Sequence, residues 1–115
     1  MKPYLGTGVA LIAAVTNAEA SYWTGYDLRD ACQRTPSFVT GYVTGWADKR
    51  LIDSQNHSGD AGDGGSPKVC MSSNPSATRL TTTYCRYLAE HPDKLPEPAE
   101  SLLADAFVKA FPCPQ

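Results

Sequence analysis

The side chains in this sequence that could do chemistry are four cysteines, two histidines and a few aspartates. Cys32, Cys70, Cys85 and Cys113 could pair as disulfides, hold a metal as thiolates, or act as nucleophiles. No CxxC or CxxxC spacing occurs, and His57 and His91 are the only imidazoles, so the metal and nucleophile readings lack their usual partners. His57, Asp60 and Asp63 have the content to coordinate a cation. The DAGDGG run that carries the aspartates, however, lacks the alternating ligands and terminal Glu of an EF-hand loop. A solvated segment whose Asp and Gly favour turns is the better reading. His91, next to Pro92, is expected to meet the C-terminal end of a helix rather than to serve as a base. There is no GxSxG elbow, HExxH pair, Walker loop or dinucleotide fingerprint. Catalysis needs a poised group and a partner within reach, so no enzyme activity, cofactor or metal is expected.

Disulfides in turn require an oxidising compartment, and the amino terminus supplies the route to one. Lys2 forms a positive n-region, residues 5–15 (LGTGVALIAAV) form an apolar stretch, and Ala18-Glu19-Ala20 is a small-x-small cleavage site. This is the pattern of a secretory signal peptide over residues 1–20. The apolar run is shorter than the roughly 20 residues that span a bilayer, and no Cys stands at position 21 to accept a lipid, so no membrane anchor is expected after cleavage. Residues 21–115 then form one domain. A formal net charge of −2, from 10 Lys+Arg against 12 Asp+Glu, gives no basic excess for a nucleic-acid partner. A domain this small buries a modest share of its surface, and crosslinks help it. Four cysteines allow three pairings that the sequence leaves open. A Cys32–Cys70 bridge, for example, would contribute about 4 kcal/mol in the chain-entropy model.

The elements that hold these residues read as four helices. Residues 24–34 place Leu28, Ala31 and Cys32 at helical spacing before Pro36 interrupts. From Ser37 to about Leu51, Phe38, Val39, Tyr42, Val43, Trp46 and Ala47 form an amphipathic stripe suited to a central helix. Gly41 and Gly45 would cost this helix about 1 kcal/mol each, which predicts close approach of a neighbouring backbone. Tyr42 reads as an aromatic anchor and Asp48 as a carboxylate near the helix end. Between Asp53 and Asn74 periodicity gives way to a long Gly-, Ser- and Asp-rich loop, with Cys70 pinning its far end. A third helix, capped by Asn74 or Ser76, runs to about His91 and buries Leu80, Thr83, Tyr84, Tyr87 and Leu88. A fourth starts between Leu95 and Pro98, runs to Phe111, and turns Ala99, Leu102, Leu103, Ala106, Phe107 and Ala110 inward. The predicted class is all-α: a small four-helix domain braced by disulfides, with a long Gly-rich loop between helices two and three. Tyr22, Trp23 and Tyr26 either lie over the bundle or form an exposed patch.

Five motifs occur in a set order: Leu28-x-x-x-Cys32, Gly41-Tyr42-x-x-Gly45-x-x-Asp48, Cys70, Tyr87-Leu88-x-x-His91-Pro92-Asp93, and Ala106-Phe107-x-x-Ala110-Phe111-Pro112-Cys113. In that order they resemble the Rap/Tai family of type VI secretion immunity proteins. The resemblance implies a small, exported, mostly helical and disulfide-bonded periplasmic protein, with homodimers common. Its implied partner is a cognate peptidoglycan amidase effector, bound and blocked when a protruding loop enters the catalytic cleft. The sequence departs from relatives at Val39, where they often carry Cys, at Cys85, a position usually apolar, and at Pro96, where a His often stands. The first two departures imply a rearranged disulfide pattern, with one bridge moved to helix three. Asn56, His57, Asp60, Asp63 and Lys68, in and beside the long loop, are the expected partner contacts, while Gly41, Tyr42, Gly45 and Asp48 are read as structural. The alternative function is a small periplasmic chaperone or stress protein with no dedicated toxin. Its signature would be apolar surface exposed in acid.

Overall fold

The computed structural model describes residues 21–56, 69–71 and 74–114. They form four helices, α1 (Gly25–Arg34), α2 (Pro36–Asn56), α3 (Ala77–Glu90) and α4 (Ala99–Ala110), with a 3-10 turn at Pro92–Lys94 before α4. No strand occurs among the described residues; two isolated bridges, Thr24 with Pro98 and Val69 with Pro112, close the chain on itself. The class is therefore all-α, as the sequence predicts. Residues 1–20, where a signal peptide is expected, and residues 57–68, the body of the expected loop, lie outside the described residues.

Local chemistry sets the helix ends. At the start of α1 the Asp27 carboxylate reaches back to accept from the Thr24 backbone N–H at 2.9 Å and from its hydroxyl at 3.2 Å, satisfying a donor that the first turn leaves orphaned. One residue, Thr35, separates α1 from α2. Its N–H closes on the Ala31 carbonyl at 2.8 Å, and Pro36 opens the next helix where a missing N–H costs nothing. Asn74 takes a left-handed conformation, φ 47°, which Asn tolerates better than most residues, and Ser76 then caps α3 by accepting from Arg79 N–H at 3.1 Å. Pro98 sets the start of α4, which begins one residue beyond the expected window.

The core is one cluster that includes Leu28, Val39, Val43, Leu80, Tyr84, Leu88, Leu95, Leu102, Leu103 and Phe107. The central helix is α3, which packs against α1, α2 and α4, and not α2 as its stripe suggests. The reason lies in length: α2 runs on to Asn56, and Leu51 and Ile52, at 51% and 54% exposure, are beyond the packed part. Its buried contribution is Val39, Val43 and Ala47. Ala110 is exposed, not inward, because Phe111 just past the helix folds over the core edge and is buried instead. Thr83 is half-buried, whereas Ala104 is buried without having been expected.

Three backbone bonds strap the start of α1 to the connection before α4: Gly25 N–H to Glu97 O at 3.0 Å, Tyr26 N–H to Leu95 O at 3.2 Å, and Ala99 N–H to Trp23 O at 2.9 Å. The close approach of backbone occurs here, at Gly25. A Cβ on it would lie 2.5 Å from Leu102 Cδ1 and 2.9 Å from the Leu95 backbone. Gly41 and Gly45 are exposed and face open space, which corrects the expectation that they admit a neighbour.

Two disulfides cross the bundle. Cys32–Cys85 joins α1 to α3, and Cys70–Cys113 joins the segment after residues 57–68 to the residues beyond α4. The pairings interleave along the chain, and one of them does reach the third helix.

Candidate partner-binding surface

Two structural anchors flank residues 57–68. On one side α2 carries the chain out from the core, its last turns supported by a Lys49–Asp53 ion pair at 2.7 Å, an i, i+4 arrangement that favours the helix. Arg50 lies over the Trp46 ring, 4.6 Å from its centroid. On the other side Val69 bridges to Pro112, the Cys70 N–H bonds to the Phe111 carbonyl at 2.9 Å, and Cys70 is bonded to Cys113. Val69 and Met71 pack on the core cluster, so covalent, hydrogen-bonded and apolar contacts all hold this end.

The expected contact residues fall mostly outside this frame. Asn56 is the last residue of α2, with its side chain outside the description, and His57, Asp60, Asp63 and Lys68 lie outside the described residues. The residues read as structural are all on α2. Tyr42 is half-buried, its ring stacked with Phe38 and with Tyr84, each at 6.4 Å between centroids. Burial, and after it the nearby Glu100 charge, pushes the Tyr42 phenol pKa up. Asp48 is exposed in mid-helix and not near an end, since two further turns follow it.

His91 meets the end of α3 as expected: its ring stacks on Tyr87 at 4.0 Å and Nδ1 lies 2.8 Å from the Tyr87 carbonyl. Among the described residues no group of three or more His, Cys, Asp or Glu is placed to hold a metal ion, and all four cysteine sulfurs are consumed in disulfides. His57, Asp60 and Asp63 are not within that description. No described helix is long and apolar enough to cross a membrane.

Sequence reasoning missed Glu100. Its Oε1 accepts from Trp46 Nε1 at 3.1 Å, and with Ser21, Tyr22, Trp23, Tyr42, Pro98 and Ser101 it lines a surface cavity of about 470 Å³. Fifty-four positions separate Glu100 from Trp46, so no local pattern could join them. Tyr22, Trp23 and Tyr26 are exposed, and of these Trp23 packs edge-on against Phe38 at 5.6 Å.

The described residues form a helical body closed by two disulfides, to which the chain on either side of residues 57–68 is attached. Residues 24–113 match the family model of the Rap1a immunity proteins, and the chain belongs to that family. Comparison with curated proteins and with solved structures gives no significant match.

Proposed function

We propose that this chain is a periplasmic immunity protein that binds a type VI secretion peptidoglycan amidase effector and obstructs its active site. Residues 1–20 serve as the export signal and residues 21–115 as the working domain. The observation that carries the proposal is the family match over residues 24–113; members are immunity proteins, a class that generally acts by binding rather than by chemistry. Two disulfides among the described residues suit an oxidising compartment. The occluding element is the segment at 57–68 with Asn56 at its base, contacting the effector through Asn56, His57, Asp60, Asp63 and Lys68. A segment held at both ends has fewer conformations to lose on docking, which favours affinity. A homodimer belongs to the same reading, and sedimentation of the oxidised protein measures it.

The test is protection. Products of neighbouring genes directed to the periplasm should lyse cells, and co-expression of this protein should restore growth against one of them. Failure to protect against any of them removes the proposal. With the effector in hand, purified protein should inhibit peptidoglycan cleavage competitively; inhibition without competition would argue against occlusion.

A further inference from the structure

The cavity of about 470 Å³ between the residues that precede α1, Tyr42 of α2 and the start of α4 combines two kinds of group. Trp23, 41% exposed, and Tyr42 present aromatic surface to it, and Glu100 contributes a carboxylate held in place by the Trp46 indole N–H at 3.1 Å. Neither the Arg34–Asp30 nor the Lys49–Asp53 ion pair of the described residues involves Glu100. The aromatic face carries negative quadrupole charge, and a nearby carboxylate adds to it, so the cavity attracts a cation. Burial first, and the Glu100 charge second, push the Tyr42 phenol pKa up.

A guanidinium suits this lining better than an ammonium, because it is planar, weakly hydrated and able to stack while it donates hydrogen bonds. The protein already makes such pairings at its surface, with Arg50 over Trp46 at 4.6 Å, Arg79 over Phe111 at 5.3 Å and Arg29 over Tyr26 at 5.7 Å. We propose that this cavity is an arginine-accepting site, in which a guanidinium side chain of a partner protein lies against Trp23 and Tyr42 and pairs with Glu100. The identity of the partner as the effector rests on the immunity reading; the chemistry of the cavity does not. It gives the domain a second contact, formed by residues 21–23, Tyr42 of α2 and the start of α4, apart from the residue 57–68 segment.

The experiment is an NMR titration of the oxidised protein with Nα-acetyl-arginine amide, and in parallel with the citrulline derivative, which keeps the shape and loses the charge. The expected result is saturable shifts of the Trp23 indole N–H and Glu100 amide with the arginine probe, about fivefold weaker with citrulline and with Glu100→Gln, the range of an exposed charge pair. The Gln side chain still accepts from Trp46, so the fold is kept; Trp23→Ala is the second variant and should weaken the probe similarly. Equal response to both probes, or an unchanged affinity in Glu100→Gln, overturns the proposal. So does a cavity that does not respond because the chain's own amino terminus fills it. Once protection has identified the effector, Glu100→Gln should weaken its binding in a salt-dependent way. Protection with no such weakening refutes the site and leaves the immunity reading standing, whereas probe binding without protection does the reverse.

Discussion

Three glycines illustrate how differently one residue type is used here. Gly25 is buried where α1 meets the Leu95 backbone, and a methyl group there would stand 2.5 Å from Leu102 Cδ1. Leu102 is itself fully buried and cannot swing into solvent. Gly25→Ala is therefore expected to destabilise the fold by about 1–3 kcal/mol through overpacking. Gly41 and Gly45 meet open space, and in a helix an Ala there restricts the unfolded chain and improves propensity, so each substitution should stabilise by about 0.5–1 kcal/mol. Urea unfolding of the oxidised protein checks both signs. Tyr84 gives a second prediction at this scale. Its hydroxyl donates to the Ala99 carbonyl at 2.9 Å inside the core, and burial, followed by Tyr42 and Glu100, pushes its pKa far above the ordinary 10.0. A phenol whose pKa is raised by folding binds its proton more tightly in the native state. Its stabilising effect is complete below pH 10.0 and is lost as the pH climbs above that value. Stability should fall with rising pH above about 10, and Tyr84→Phe should flatten that fall while lowering stability near neutrality by about 1 kcal/mol for the lost bond. An equally steep alkaline decline in the variant would show that other groups govern it.

Helices were legible because their signals are local. The Ser76 cap, the proline at the start of α2 and the apolar spacing of Leu80, Tyr84, Tyr87 and Leu88 each act within a turn or two. Ser76→Ala should thus destabilise the domain by about 1 kcal/mol with Gly nearly neutral, measurable as a shift in urea midpoint without a change in slope. What the sequence hid was placement between helices. The α2 stripe of Phe38, Tyr42 and Trp46 is aromatic throughout, yet Phe38 is 42% exposed and the other two are half-buried. Phe38 and Tyr42 form a side ladder, Trp23 on Phe38 on Tyr42 on Tyr84, while Trp46 packs edge-on against Phe107 at 5.4 Å. Amphipathic spacing states that a face is covered, not by what. The same limit applies to Gly41 and Gly45, whose spacing resembles a packing motif and whose surroundings are open. Gly25 carries no such spacing, because the groups that crowd it come from residues 95 and 102.

At the scale of the molecule the two disulfides have separate tasks. Cys32 and Cys85 are 53 positions apart and Cys70 and Cys113 are 43 apart, so loop closure alone gives each about 4 kcal/mol in the chain-entropy model. By that measure they are equal, but their surroundings differ. Cys32 and Cys85 pack on the core between α1 and α3, and replacing both by Ser also puts polar groups against apolar neighbours. Cys70–Cys113 lies at the periphery, where it fixes the end of the chain that follows residue 68. The four cysteines and their even count pointed to crosslinks; the pairing was not legible, since it depends on where α3 lies relative to α1. From this placement the double variants should part company. Cys32→Ser with Cys85→Ser should lower the urea midpoint strongly, by the equivalent of about 4 kcal/mol, and bind effector in proportion to the folded fraction that remains. If residues 57–68 dock as proposed, Cys70→Ser with Cys113→Ser should keep the α1–α3 bridge and helical signal yet lose about tenfold in effector affinity, because the Cys70 end would then be held only by the Val69–Pro112 bridge, the Phe111 carbonyl and apolar contacts, and docking would have to restore order at about 0.5–1.5 kcal/mol for each immobilised side chain. Calorimetric titration of folded variants with the effector separates the two effects. If the second variant binds as tightly as the native protein, the pinned segment is not the element that docks.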